Sequence, residues 1–251
     1  MPLRRRPSTP PVDPAASFGR GGVNGGRSIS GADWTSLLRR IERKRRALAR
    51  AGADTPPGLP ANYYVRATYA SFILDGLDVT PDETRDAIEP APNPTDRPLL
   101  RSRQALRMRN HAAILHHVEN DLREGLPLTT DGVVRWYVAI SAGLSTTGLD
   151  HATTRRLEEV VRRVNSPQMR LQAALHEVAT AHVRLLADPL VPSFNGILAR
   201  LLLRYHLGRC KLPAVLFDPA LDARTANTDA TVRRLVELLE QSYDELLTRK
   251  R

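Results

Sequence analysis

Apolar positions recur along this chain at three- and four-residue intervals, the period of a helix with one buried face. The pattern begins at Asp33, which can cap a helix carrying Trp34, Leu37, Leu38, Ile41 and Leu48 on one stripe. Gly52 and Pro56 end it. A second helix is predicted over 61–74, stopping at Gly76. Thr80-Pro81-Asp82-Glu83 has the form of a capping box with proline at the first helical position. A long helix is expected over 97–123, closed by Gly125, and another from Thr129 or Thr130 carrying Val133, Val134, Tyr137 and Ile140. Further helices are read over 150–164, from Ser166-Pro167 to about 186, over 195–207 and over 229–247. The best strand candidate is Ala214-Val215-Leu216-Phe217, and no repeat of 20–50 residues occurs. The predicted class is all-α.

Residues 1–31 break the pattern. They hold five Pro, six Gly and four Ser, and cannot bury enough surface to offset the entropy of ordering. A disordered tail is expected there, then a basic amphipathic helix and linker over 32–59, then one helical domain over 60–251. Arg4, Arg5 and Arg6 are followed by no apolar export segment, so a cytoplasmic location is the default expectation. No apolar run is long enough to span a membrane, and none is expected as a partner.

Charge adds one distinction. The net charge of +10 is concentrated at the start: residues 1–50 hold twelve basic and three acidic side chains, and the remainder is nearly balanced. The face opposite the first apolar stripe is Arg39, Arg40, Arg43, Lys44, Arg46 and Arg50. Any nucleic-acid or acidic-partner binding by this route belongs to residues 1–50. A single cysteine, Cys210, excludes an internal disulfide and a cysteine zinc site. His116 and His117 are adjacent in a helix and point about 100° apart, so they do not chelate from one face. No metal site is expected from these residues.

The informative stretch is 182–217, HVRLLADPLVPSFNGILARLLLRYHLGRCKLPAVLF. A helix, a loop with Pro189 and Pro192, and Asn195-Gly196 opening a strongly apolar helix follow in order. Free N–H groups and the positive dipole end at such a helix start suit an anion. The expectation is a loop over 188–195 with the N-terminus of the next helix facing a cleft.

This segment resembles the core of the Fic/Doc (Fido) family, whose signature is HPFx(D/E)GNGRxxR. The helix order extends the resemblance over roughly 60–248. Ala199-Arg200-Leu201-Leu202-Leu203 matches the second motif arginine and its apolar helix, Leu212-Pro213-Ala214-Val215 matches that helix's end, and His182 and Asn110 stand where the family commonly has those residue types. Separately, Ser71-Phe72-Ile73-Leu74-Asp75-Gly76 resembles the family's inhibitory motif, (S/T)xxxE(G/N).

The resemblance implies a Fido-like helical bundle, ATP with Mg²⁺ as cofactor, a protein target, and AMP transfer to a hydroxyl. It assigns Asn195, Gly196 and Arg200 to the nucleotide and Ser71, Asp75 and Gly76 to regulation, the carboxylate pairing with Arg200. The departures bear on activity. Asp188 takes the place of the base histidine and Ser193 that of the metal-binding acid; one residue is added within Val191-Pro192-Ser193; Phe194 replaces a glycine and Ile197 the first arginine. General-base catalysis is worth on the order of 100- to 10,000-fold, and an exposed aspartate is a poor base for a hydroxyl at neutral pH. The expected protein is therefore a degenerate Fido-domain protein with lost or much reduced AMP transfer, acting by nucleotide or protein binding. Two alternatives stand beside it: an active transferase with a rearranged loop, in which Asp188 acts as base or another phosphate donor is used, and an Arg-rich adaptor binding nucleic acid or an acidic protein through residues 1–50. The family's target-aligning flap has no evident counterpart between Gly143 and Arg156.

Overall fold

The computed structural model describes residues 29–52, 59, 62–89, 103–141, 149–166, 170–222 and 227–249. Among these residues it contains nine helices and no strand: α1 (Gly31–Arg50), α2 (Tyr63–Leu74), α3 (Pro81–Ile88), α4 (Arg103–Glu124), α5 (Thr130–Ile140), α6 (His151–Asn165), α7 (Leu171–Ala187), α8 (Asn195–Arg209) and α9 (Thr228–Thr248). The class read from periodicity is the class found.

Helix α8 is the pole of the molecule. Every residue from Ile197 to Gly208 is buried. A helix buried on all sides has no solvent face to keep, so its neighbours must surround it and must also pair its two arginines, Arg200 and Arg204. Helices α7, α4, α6 and α2 do so. Close approach to α4 requires Gly208, where a Cβ would overlap the Leu122 side chain. On one side the core joins α2, α4, α5 and α6 through Phe72, Leu115, Val118, Ile140 and Leu157. On the other, Leu203 and Leu207 meet α1, α7 and α9 through Ile41, Leu175, Leu235 and Leu239.

Several boundaries move for physical reasons. Ser30, not Asp33, is the N-cap of α1; Asp33 is the third helical residue and completes a capping box with Ser30. The described chain begins at Ile29, inside the segment whose composition predicts disorder; Ile29 is buried and its N–H donates to Asp229 at 3.0 Å. Ser166 closes α6 rather than opening α7, because its N–H returns to Arg163. The capping box at Thr80 stands where the sequence puts it; of Thr129 and Thr130, Thr129 is the cap of α5, and Asp150 caps α6 from just outside the helix. Ala214–Phe217 forms no strand; Val215 and Phe217 are buried with residues of α7 and α9, and Ala214 faces the other side of the core. The start of the long helix at 97–102, the tail over 1–28 and most of the flap region, 142–148, lie outside the described residues.

Candidate functional site

The loop between α7 and α8 covers Asp188 to Phe194. Asn195 holds its shape. Its Oδ1 accepts from Leu190 N–H at 2.9 Å and its Nδ2 donates to the Leu185 carbonyl at 2.7 Å, closing the loop on the end of α7. Phe194 sits in the left-handed region at φ 58°, a conformation costing an L-residue about 1–2 kcal/mol. The Arg107 guanidinium lies 5.1 Å from its ring centroid.

The α8 N-terminus, expected to face a cleft, is half-buried and lies against the end of α2. The Asp75 carboxylate packs against Gly196 so closely that a Cβ there would overlap Oδ1 and stand 3.3 Å from Cγ. Gly76, at φ 77°, ends α2, and Leu77 N–H returns to the Phe72 carbonyl. That leaves Asp75 at the C-cap, the helix end where a carboxylate is electrostatically disfavoured. An opposing cation compensates. Arg200, only 1% exposed, donates from Nη2 to Asp75 Oδ1 at 2.5 Å and to the Ser71 carbonyl at 2.6 Å. Its Nε donates to Ser71 Oγ at 3.3 Å, and its Nη1 pairs with Asp222 Oδ2. Of the sequence-assigned residues, the fold thus brings together Ser71, Asp75, Gly196 and Arg200.

Asp222 was not legible in the sequence. It follows the irregular 214–217 segment and no motif marks it. It bridges Arg200 to His182, whose Nε2 lies 2.9 Å from Asp222 Oδ1. Burial pushes the Asp222 carboxyl up, but the His182 hydrogen bond and the Arg200 charge outweigh it and hold the group below its usual range. Nearby His111 is pushed down to about 3 by burial and by Arg200, and its Nδ1 lies 2.9 Å from Thr68 Oγ1.

Other assigned residues lie apart from this cluster. Asp188 points outward, its side chain 78% exposed, and pairs with Arg156 at 2.6 Å. Ile197 is fully buried in the core. Ser193 is exposed. Asn110 donates from Nδ2 to the Ala139 carbonyl at 2.8 Å, tying α4 to the end of α5. His116 stacks on Tyr64 with centroids 3.6 Å apart. One turn beyond Arg200, Arg204 forms a buried fork with Glu119, both bonds 2.6 Å. The i, i+4 spacing of two arginines in an apolar helix was its only sequence signal.

ATP with Mg²⁺ does not fit these residues as they stand. Arg200 is committed to the chain's own acceptors, and Ser193, at the position the resemblance gives to a metal-binding acid, offers only a hydroxyl, a weaker ligand for a hard cation.

Compared with known proteins, the chain matches no family profile and no curated protein. It does match solved structures of Fic-1 (aa134–508) from C. elegans. One aligns with a TM-score of 0.61 at 16% identity, covering 86% of this chain and 70% of that one. A glutamate-to-glycine variant of it aligns with a TM-score of 0.63 at 16% identity, covering 86% and 71%.

Proposed function

From this Fic fold, we propose that the chain is a degenerate Fido-domain protein whose nucleotide-transfer site is filled by its own carboxylates, and that it acts by binding another molecule. The observation carrying this reading is the state of Arg200. Its guanidinium is shared between Asp75, Asp222 and Ser71, and the α8 N-terminus meets the Asp75 carboxylate where the resemblance assigns a phosphate. A nucleotide would have to displace both carboxylates from a cation that is 1% exposed.

Three losses support the reading. Asp188 faces solvent and is held by Arg156, so it is not aimed at the Arg200 cluster. Ile197 supplies no second phosphate contact; a charge-assisted hydrogen bond of that kind contributes roughly 1.5–3 kcal/mol. Phe194 puts a ring where a glycine would let the backbone approach a phosphate. Calorimetric titration with ATP, with and without magnesium, beside transfer of labelled AMP to the chain itself and to cell lysate, tests the proposal. The expected result is no saturable magnesium-dependent binding and no transfer. Transfer by the unmodified chain, lost in Asn195→Ala, would reverse it in favour of an active transferase.

A further inference from the structure

Helices α6 and α7 are consecutive and share α8 as a neighbour, but each leans on a different second helix. α6 packs on α5 and α8, and α7 on α8 and α9. Between them lies a groove of about 490 Å³. Its floor is apolar, made by Val160 of α6, Ala181 and Leu185 of α7, and Leu190 of the following loop. The short side chains of Val160 and Ala181 leave the space. A groove of this size accommodates apolar side chains of a ligand.

The rims are cationic. Arg155, Arg156, Arg162 and Arg163 line it from α6, and Arg184 from α7. Its two carboxylates are already held: Glu159 by Arg163 at 2.8 Å and by Arg162, and Asp188 by Arg156 at 2.6 Å. Arg155 and Arg184 form no ion pair among the described residues. Five arginines against two acids leave the groove with a formal charge of +3.

We infer that this groove docks an acidic amphipathic segment of a partner protein, its apolar side chains on the floor and its carboxylates on Arg155 and Arg184. The apolar floor supplies burial, and the rim supplies steering and register. A nucleic-acid backbone would use the same arginines but leave the floor unfilled, and no aromatic ring among the lining residues offers a base a stacking surface. The basic face of α1 differs: its groove between Ala32 and Arg43 is lined by Thr35, Ser36 and arginines, without a comparable apolar floor. The inference rests on the reading that the chain acts by binding. Nucleotide transfer is assayed separately, so either can fail without the other.

The test uses the full chain and a short fluorescein-labelled peptide of glutamates with leucines at i, i+4 spacing, followed by fluorescence anisotropy. Its partners are the same peptide with glutamine for glutamate and a single-stranded DNA oligonucleotide. The acidic peptide binds, binds less well at higher salt, and exceeds the glutamine peptide by about tenfold or more in affinity. Arg155→Glu with Arg184→Glu lowers its affinity by about tenfold or more, and Ala181→Phe, which fills the floor, does the same through shape. Arg39→Glu with Arg43→Glu on α1 leaves it unchanged. Circular dichroism shows which variants fold, and the two independent groove variants keep the test readable if one does not. The inference is overturned if wild type fails to bind, if folded groove variants bind as wild type does, if the α1 variant loses binding equally, or if the oligonucleotide outcompetes the peptide through these arginines.

Discussion

The Asp75 carboxylate and the Arg200 guanidinium meet at 2.5 Å across 125 residues of sequence, one from the C-terminal end of α2 and one from the middle of α8. Asp222 holds the other side of the same guanidinium. Two counter-charges on one buried arginine make each partly redundant. Asp75→Asn and Asp222→Asn should each cost about 1–2 kcal/mol, whereas the double variant leaves a buried charge uncompensated and should cost more than the sum, about 3–5 kcal/mol or beyond. Urea unfolding of the four proteins in the cycle measures this. Strict additivity would mean the three groups do not share one network.

Gly196 is one contact point of α2 and α8. Alanine is the better helix former by about 1 kcal/mol, yet Gly196→Ala should destabilise by about 1–3 kcal/mol, because the new methyl overlaps Asp75 and lies 3.1 Å from Arg200 Nη1. In an Asp75→Ala background the penalty should shrink, since the obstructing carboxylate is gone. Thermal melts of both pairs test the contact directly.

The Glu119–Arg204 fork joins α4 to α8 with side chains 8% and 1% exposed. Glu119→Ala should cost about 3–5 kcal/mol by stranding the guanidinium. Replacing both, as Glu119→Leu with Arg204→Met, should recover most of that loss. A double variant as unstable as the single would show that the pair does more than neutralise itself.

Two buried histidines set an acid limit on the fold. Burial pushes His206 down to about 4, and burial with Arg200 pushes His111 down to about 3, from an ordinary 6.5. Both are neutral when folded, so below pH 6.5 the unfolded chain binds protons the native one does not. Stability therefore falls as pH drops from 6.5 towards those values, each histidine adding up to about 1.4 kcal/mol per pH unit. Asp222 acts lower: its depressed carboxyl contributes stability above the usual aspartate range that is lost on further acidification. Denaturant midpoints from pH 7 to 5 should slope downward, and His206→Gln should flatten the slope.

The helices were legible because their apolar periods and caps are local. The Thr80 capping box, the helix start at Thr129 or Thr130 and the largely apolar stretch 197–208 each declare themselves within a few residues. The Asp75–Arg200 pair was legible only through two family-like segments read together. Asp222 was not, since its role depends on where an irregular segment without periodicity returns to the core. Glu119 was hidden for a similar reason: a glutamate in a long helix reads as solvated until its partner is known. The loop was legible in extent but not in direction. Asp188 and Arg156 meet because α6 passes beside the end of α7, which spacing does not encode. The α6–α7 groove also escaped, because a gap is a property of two helices and of neither sequence.

The most direct test of the central claim is labelled-AMP transfer by Asp75→Ala beside the unmodified chain, in magnesium-ATP with cell lysate as acceptor. That variant withdraws the carboxylate standing against Gly196 and loosens Arg200 without touching the loop. If the site is degenerate as well as occupied, neither protein transfers label, because a base, a first arginine and a metal-binding acid are still lacking. Magnesium-dependent transfer appearing in Asp75→Ala, and abolished by a further Arg200→Gln, would contradict this: it would make the chain an active transferase held shut by Asp75.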